Sequence, residues 1–370
     1  MVKPKKIRIL VVAEKYDDFY EWLSKLLEKE FIVKKLYVHS GDEKPPFFLL
    51  RWLLVIKRWR SISKSFKPEK ILVYGKSLMS IWIVIFLIRL LGLNTEIIIF
   101  RYDFEYFWMC FKEIKKTIGD RMTLILEKFC LINSDKIVHK GIENELEFLP
   151  YYDKLKNKPH YLFREFINPK KIQIYNPNFK LSKKDGEIHL VYIGGFTSVN
   201  LPVAESIWNF YPKITSQRLH LHLYSWFDRK AEEKLKEIEN RNPYLHLEGI
   251  KDHSSLLKEI CKYDYGISLH TRNVSKSKNN YYVAVHFAKK FFDYLSAKLP
   301  LVVLKESKAA AEFVDKYKIG VCIDYKDIKS LQKILTKKKK DYEKIIKNID
   351  NAISDSMECK KFLDFVRTQK

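Results

Sequence analysis

The chain has 370 residues, 46% hydrophobic and 14% aromatic, and Lys plus Arg outnumber Asp plus Glu by 69 to 45, a formal charge of +24. Such a length suits two domains, and the apolar content excludes disorder over most of it. The cationic surplus favours polyanions (nucleotide diphosphates, anionic lipid or nucleic acid) without choosing among them.

In chain order, short β-branched runs alternate with helical patterns. Strands are predicted at Ile7–Ala13, Val33–Val38, Lys70–Tyr74, Glu96–Phe100 and Lys136–His139. Helices are predicted around Asp18–Lys29, Phe47–Ser65, Ser77–Leu91 and Asp120–Asn133. Buried strands alternating with helices imply a parallel sheet covered on both faces. A stretch rich in Asn, Pro and Gly, Tyr175–Gly186, interrupts the rhythm and reads as a hinge near 176–187. The alternation then restarts with strands at His189–Ile193, His220–Tyr224, Leu245–Leu247, Tyr265–His270, Leu301–Leu304 and Val321–Ile323. Helices fall near Pro202–Tyr211, Arg229–Asn240, His253–Lys262, His286–Ala297 and Ala309–Tyr317, before a basic helical tail. The fold class is α/β, with two Rossmann-like units. No 20–50-residue period repeats, which argues against a solenoid.

Cys110, Cys130, Cys261, Cys322 and Cys359 are scattered and without CxxC or CxxH spacing, the pattern of a reduced cytoplasmic protein without a structural zinc site. His220 and His222 share one strand face, but no third ligand sits at metal-site spacing, so satisfied or exposed imidazoles are expected there. The N-terminal apolar run is too short for a signal peptide. The longest apolar stretch, Leu78–Ile88, ends at Arg89, short of the ~20 residues a spanning helix needs.

Two constellations in the second half carry chemistry. Gly194-Gly195 closes a strand and precedes Phe196, Thr197 and a helix. Residues without side chains at a strand's carboxyl end let backbone approach a phosphate, and a following helix N-terminus offers N–H donors; a plain tight turn is the alternative. The pattern is neither GxGxxG nor a P-loop. In Phe287–Val303, Phe287, Phe291 and Leu295 mark a core face, with Lys289, Lys290 and Asp293 on the other side.

These motifs resemble the donor half of GT-B-fold glycosyltransferases, particularly the family-4-like group. There a strand ending in Gly-Gly is followed, about a hundred residues on, by a pattern close to K-x-x-E-Y-x-(S/A)-x-x-x-P-x-V. Lys290, Asp293, Tyr294, Ser296, Pro300 and Val302 follow it here, and Leu247–Gly249 with Tyr263-Asp264 fit the run between. The resemblance covers roughly 186–335; the first half matches in its rhythm and in Asn133–Val138. It implies a GT-B architecture with the active site in the interdomain cleft: an acceptor domain over 1–176, a donor domain over 187–340, and a helical tail, 341–370, that crosses back to the first. It implies that Asp293 binds the donor ribose, while Lys290 and the Gly194 and Gly195 amides, beside Phe196 and Thr197, hold the diphosphate. The family's Glu eight residues before the acid is Val285 here, and the usual Gly before Pro300 is absent.

The chain has no Asp-x-Asp, so a metal-bridged diphosphate lacks an obvious ligand pair and no cofactor is expected. Lys, Arg and backbone N–H groups must stabilise the departing diphosphate, and Arg272 lies in a basic segment that could join them. In Arg101–Tyr106, Asp103 is the candidate general base and Glu105 its competitor, at a strand's carboxyl end where α/β sheets bind ligands. The alternative is a loop carboxylate paired with Arg101.

In Pro45–Arg60, Arg51, Trp52, Lys57, Arg58, Trp59 and Arg60 mix large apolar and basic side chains without one acid. That mixture suits docking on an anionic membrane, with a glycan or lipid-linked acceptor drawn from it, although the helix's own sheet also needs an apolar stripe. The expected protein is a cytoplasmic glycosyltransferase, peripheral on the inner face of a membrane, using a nucleotide-diphosphate sugar. An inactive, membrane-attached GT-B-like binding subunit is the alternative. Nucleic acid is not an expected partner, because the basic residues spread over the whole chain without a nucleic-acid motif.

Overall fold

The computed structural model describes residues 6–13, 18–37, 48–75, 78–90, 93–101, 104–107, 117–164, 167, 169–194, 210–227, 229–269, 285 and 287–368. The chain divides into two compact units. The first runs to residue 164 and includes 359–368; the second holds 167–358. These breaks differ from the expected hinge at 176–187. The Pro- and Asn-containing stretch there packs into the second unit: Lys180 Nζ donates to the Cys261 and Tyr263 carbonyls, and Ser182 Oγ to Asp264.

In the first unit the order is β1 (Arg8–Ala13), α1 (Asp18–Glu28), β2 (Ile32–Tyr37), α2 (Phe48–Phe66), β3 (Lys70–Tyr74) and α3 (Leu78–Leu90). There follow β4 (Glu96–Phe100), α4 (Ile118–Asn133), β5 (Lys136–His139) and β6 (His160–Leu162). All pairings are parallel, in the order β2-β1-β3-β4-β5-β6. β6 is too short and polar for its sequence to announce it. Helix α4 starts two residues before the predicted position, at a capping box in which Thr117 and Asp120 satisfy each other's backbone N–H.

The second unit holds β7 (Ile188–Ile193), β8 (Leu219–Tyr224), α5 (Arg229–Glu239), β9 (Leu245–Leu247), α6 (His253–Ile260) and β10 (Tyr265–Ser268). It continues with α7 (Lys290–Ser296), β11 (Leu301–Leu304), α8 (Lys308–Tyr317), β12 (Gly320–Ile323), α9 (Leu331–Lys338) and α10 (Tyr342–Glu358). The sheet is again parallel, β12-β11-β10-β7-β8-β9. Successive strands run outward from β7 to β9, then restart at β10 on its other side. The sheet's switch point therefore lies between β7 and β10. Leu190, Tyr192, Leu221, Leu223, Val302 and Leu304 form part of its core.

Helix α11 (Lys360–Arg367) returns to the first unit. Its Phe362, Leu363 and Val366 are buried, and the Phe362 ring meets Phe163 edge-on at 4.8 Å. Lys136 Nζ donates to the Phe365 carbonyl at 2.9 Å, and both Lys136 and Lys70 donate to the Thr368 carbonyl. Glu96 pairs with both lysines, so their buried charges are compensated.

Among the described residues no helix is long and apolar enough to cross a membrane. Phe362→Ala is expected to destabilise the protein by about 3–5 kcal/mol. Lys136→Met should cost about 1–3 kcal/mol, the penalty of leaving a buried acceptor short of its donor. Chemical denaturation followed by tryptophan fluorescence checks both.

Candidate active site

The motif helix α7 sits at the switch point of the second sheet, and Tyr294 holds it there. Its ring lies where a Cβ on Gly266 of β10 would be, so only glycine fits beneath it. Its hydroxyl accepts the Ile193 N–H at 3.0 Å and lies 3.2 and 3.0 Å from the Val191 and Ile267 carbonyls. One phenol thus ties β7 to β10 at their carboxyl ends, where open α/β sheets bind ligands.

Gly194 follows β7 with φ +142°, a conformation L side chains rarely adopt, and its N–H donates to the Tyr224 carbonyl. A Cβ there would stand 3.0 Å from Lys290 Nζ. The Lys290 ammonium lies 3.9 Å from the centre of the Tyr192 ring. Burial pushes Lys290 down to about 7, with the Asp293 carboxylate acting against the shift. An anion in front of Gly194 would restore its charge.

Asp293, one turn along α7, accepts from His253 Nε2 at 2.8 Å, and Lys171 Nζ lies 3.0 Å from His253 Nδ1. With the ammonium donating, the imidazole holds Nε2–H toward the carboxylate and leaves the other Asp293 oxygen without a partner among the described residues. The sequence pattern singles out Lys290 and Asp293 but not His253 and Lys171, which only folding brings to them. Phe287 is buried as expected, but α7 itself begins only at Lys290.

A family model described as Glucosyltransferase 3-like, C-terminal domain, matches residues 204–364. Solved structures match the fold over nearly the whole chain. WaaG, a glycosyltransferase involved in lipopolysaccharide biosynthesis, aligns with a TM-score of 0.58 at 11% identity, covering 98% of this chain and 100% of its own. The chain has the GT-B glycosyltransferase fold and carries a glucosyltransferase-like domain over 204–364. The lipopolysaccharide outer core galactosyltransferase WaaB aligns with this chain at TM-score 0.62 and 9% identity, and Anabaena HepE in complex with UDP at 0.56 and 12%, each over 98% of this chain and 100% of theirs. A comparison with curated protein sequences finds no match.

Several expected site residues, Gly195, Phe196, Thr197, Arg272 and Asp103, lie outside the described residues. Glu105 is half-buried, its carboxylate 3.7 Å from the Arg101 guanidinium. Its backbone N–H and that of Tyr106 donate to Glu127 of α4, a wholly buried carboxylate also 3.5 Å from Arg101. Burial raises the Glu127 pKa, against the pull of Arg101 and the two N–H groups. Glu127 therefore anchors the segment after β4, a role no local pattern announces. At the end of β5, Glu145 lies 2.9 Å from His139 Nδ1, and the buried His139 Nε2 has no partner among the described residues.

The proposed membrane helix needs one correction. Trp59 is 1% exposed, so it packs inside the first unit and does not face a bilayer. At Trp59, α2 serves the unit's own packing, as helices on parallel sheets require. Lys57, Arg58 and Arg60 are exposed, while the Arg51 and Trp52 side chains lie outside the description.

Tyr294→Phe is expected to lower stability by about 1–3 kcal/mol, because the buried Ile193 N–H loses its acceptor. Urea unfolding measures the loss, which an unaltered midpoint would refute.

Proposed function

We propose that the transferase moves a sugar from a uridine diphosphate donor to a hydroxyl of a glycan or lipid-linked acceptor, without a metal in the transfer step, on the anionic inner face of a membrane. The observation that carries the donor site is the partly buried Lys290 ammonium over Gly194 at the switch point, with Asp293 on the next turn. The likeness to HepE, whose structure contains UDP, supports the choice of base. Lys290, Arg272 and the Gly195 amide, with Phe196 and Thr197 alongside, receive the diphosphate; the Gly194 N–H, expected from the sequence to join them, is already given to the Tyr224 carbonyl. Asp293 accepts from the ribose hydroxyls.

In direct displacement the acceptor oxygen bonds to the anomeric carbon as the bond to the diphosphate breaks. Asp103 takes the acceptor's proton, and the leaving UDP keeps the electron pair beside Lys290. Glu105 is the weaker candidate because its carboxylate already faces Arg101.

The membrane reading now rests on exposed basic residues of α2 and on apolar residues of α3 and α4. Phe86, Leu90, Ile118, Met122 and Ile125 are exposed, and Phe86 contacts Phe129 between the two helices. Apolar burial with nearby cations suits an anionic interface. A second reading, an inactive sugar-nucleotide-binding subunit, is favoured by Val285, which is buried where the resemblance puts a glutamate.

Calorimetry with nucleoside diphosphates and transfer assays with UDP-glucose test the reading. Lys290→Met and Asp293→Ala should each weaken UDP binding by about 1–3 kcal/mol. A lysine near pKa 7 must gain a proton to hold a diphosphate, so affinity should fall as pH rises above 7, by up to about tenfold per unit. That fall should vanish in Lys290→Met; unchanged affinity in both variants removes the donor site.

Asp103→Asn should lower kcat by about two to four orders of magnitude with UDP binding intact. UDP binding without turnover on any glycan or lipid acceptor would favour the inactive subunit. Co-sedimentation with anionic but not neutral vesicles, reduced by Lys57, Arg58 and Arg60 to Glu, is expected; equal partitioning would refute the membrane reading.

A further inference from the structure

Strand alternation lines one face of the second sheet with imidazoles. His189 of β7 pairs in register with His220 of β8, and His222 of β8 with His246 of β9, while the leucines between them turn to the core. The His189 and His220 rings stack at 4.3 Å, as do those of His222 and His246. This corrects the sequence expectation for His220 and His222: a third imidazole is present, supplied by a neighbouring strand that spacing along one strand cannot reveal.

The outward nitrogens face acids. His189 Nε2 is 2.9 Å from Asp185, His222 Nδ1 2.7 Å from Glu248, and His220 Nε2 2.6 Å from Glu187. An ionised carboxylate only accepts, so each of these nitrogens carries the hydrogen, and in a neutral ring the opposite nitrogen is a bare lone pair. His189 Nδ1 and His222 Nε2 nevertheless face each other at 3.0 Å. Two lone pairs at that distance repel unless an electrophile lies between them. His220 adds a third nitrogen, with one ligand atom from each of the three rings within 4.8 Å of the others. A proton serves two nitrogens; a third imidazole nitrogen this near suits a metal ion.

We propose that His189, His220 and His222 bind one divalent transition-metal ion, Zn2+ foremost, at a structural site separate from the donor end of the strands. Imidazole nitrogens select Zn2+, Co2+, Ni2+ or Cu2+ over Mg2+ and Ca2+, which take oxygen. Asp185, Glu187 and Glu248 supply the carboxylates that orient metal-bound histidines through their other N–H. The His220 ring, stacked on His189 with Nδ1 2.9 Å from His246 Nε2, must rotate to turn that lone pair to the ion, and water or His246 completes a tetrahedron. Tetrahedral Zn–N bonds of about 2.0–2.1 Å need the facing nitrogens only a few tenths of an ångström further apart. His189 opens β7 and Gly194 follows its end, on the order of 15 Å along the strand, so the ion clamps β7 to β8 without touching the donor.

The test uses the full chain, stripped with chelator and titrated with ZnCl2 under equilibrium dialysis and thermal unfolding. One Zn2+ per chain is expected, with a Tm that rises with Zn2+ and not with Mg2+. Co2+ in its place should give the visible absorption of a tetrahedral site. Glu248→Gln should weaken binding about 10–100-fold, and His189→Gln with His222→Gln should abolish it. The proposal falls if the wild-type chain binds no Zn2+, if Co2+ shows only octahedral absorption, or if the double variant keeps stoichiometric uptake. The wild-type dialysis and spectrum decide the matter even if the double variant fails to fold.

Discussion

Parallel sheets must be covered on both faces, and in the first unit that requirement is met only with help from far along the chain. Helix α11 lays Phe362, Leu363 and Val366 against the unit, and its final carbonyls would be stranded without donors. Lys70 and Lys136, buried at the starts of β3 and β5, point their ammonium groups at the Thr368 carbonyl, with Glu96 of β4 between them. Positive charge at a helix C-terminus is the electrostatically favoured arrangement. Two strand-opening lysines that look like surface residues in sequence are thus part of the unit's interior.

The second unit solves a different problem, leaving strand ends open for a ligand while keeping them rigid. Tyr294 and Gly266 do this together: the missing side chain admits the ring, and the hydroxyl bridges two strands that diverge at the switch point. With α7 held this way, Lys290 and Asp293 cannot both drift to solvent. One reaches back over Gly194 and the other is held by His253. Rigid support behind the binding groups limits the ordering cost of ligand capture.

The sequence showed the central strands plainly, because runs such as Ile-Leu-Val-Val and Ile-Ile-Ile are buried on both faces and interrupted by helix-period segments. Lys290 and Asp293 were visible because their helix carries a recognisable pattern. His253, Lys171 and Glu127 were not, since each acts on a group 22 to 82 positions away and sits in no local motif. Trp59 misled for a related reason: an apolar stripe reports that a helix face is buried and is silent on whether protein or lipid covers it. His220 and His222 showed their shared face but not the neighbour on β7, because strand order is a property of the sheet.

The division of the chain also orders events during synthesis. Residues 167–358 are contiguous, so the second unit has every strand and helix it needs as soon as they leave the ribosome. The first unit has all six strands by residue 162 but lacks α11 until nearly two hundred further residues have been made. Through that interval Lys70, Lys136 and Glu96 have no Thr368 carbonyl to meet, and the apolar surface later covered by Phe362 stays open to water. The unit translated first is therefore the one finished last, and its interim exposed face is where a chaperone would have most to hold.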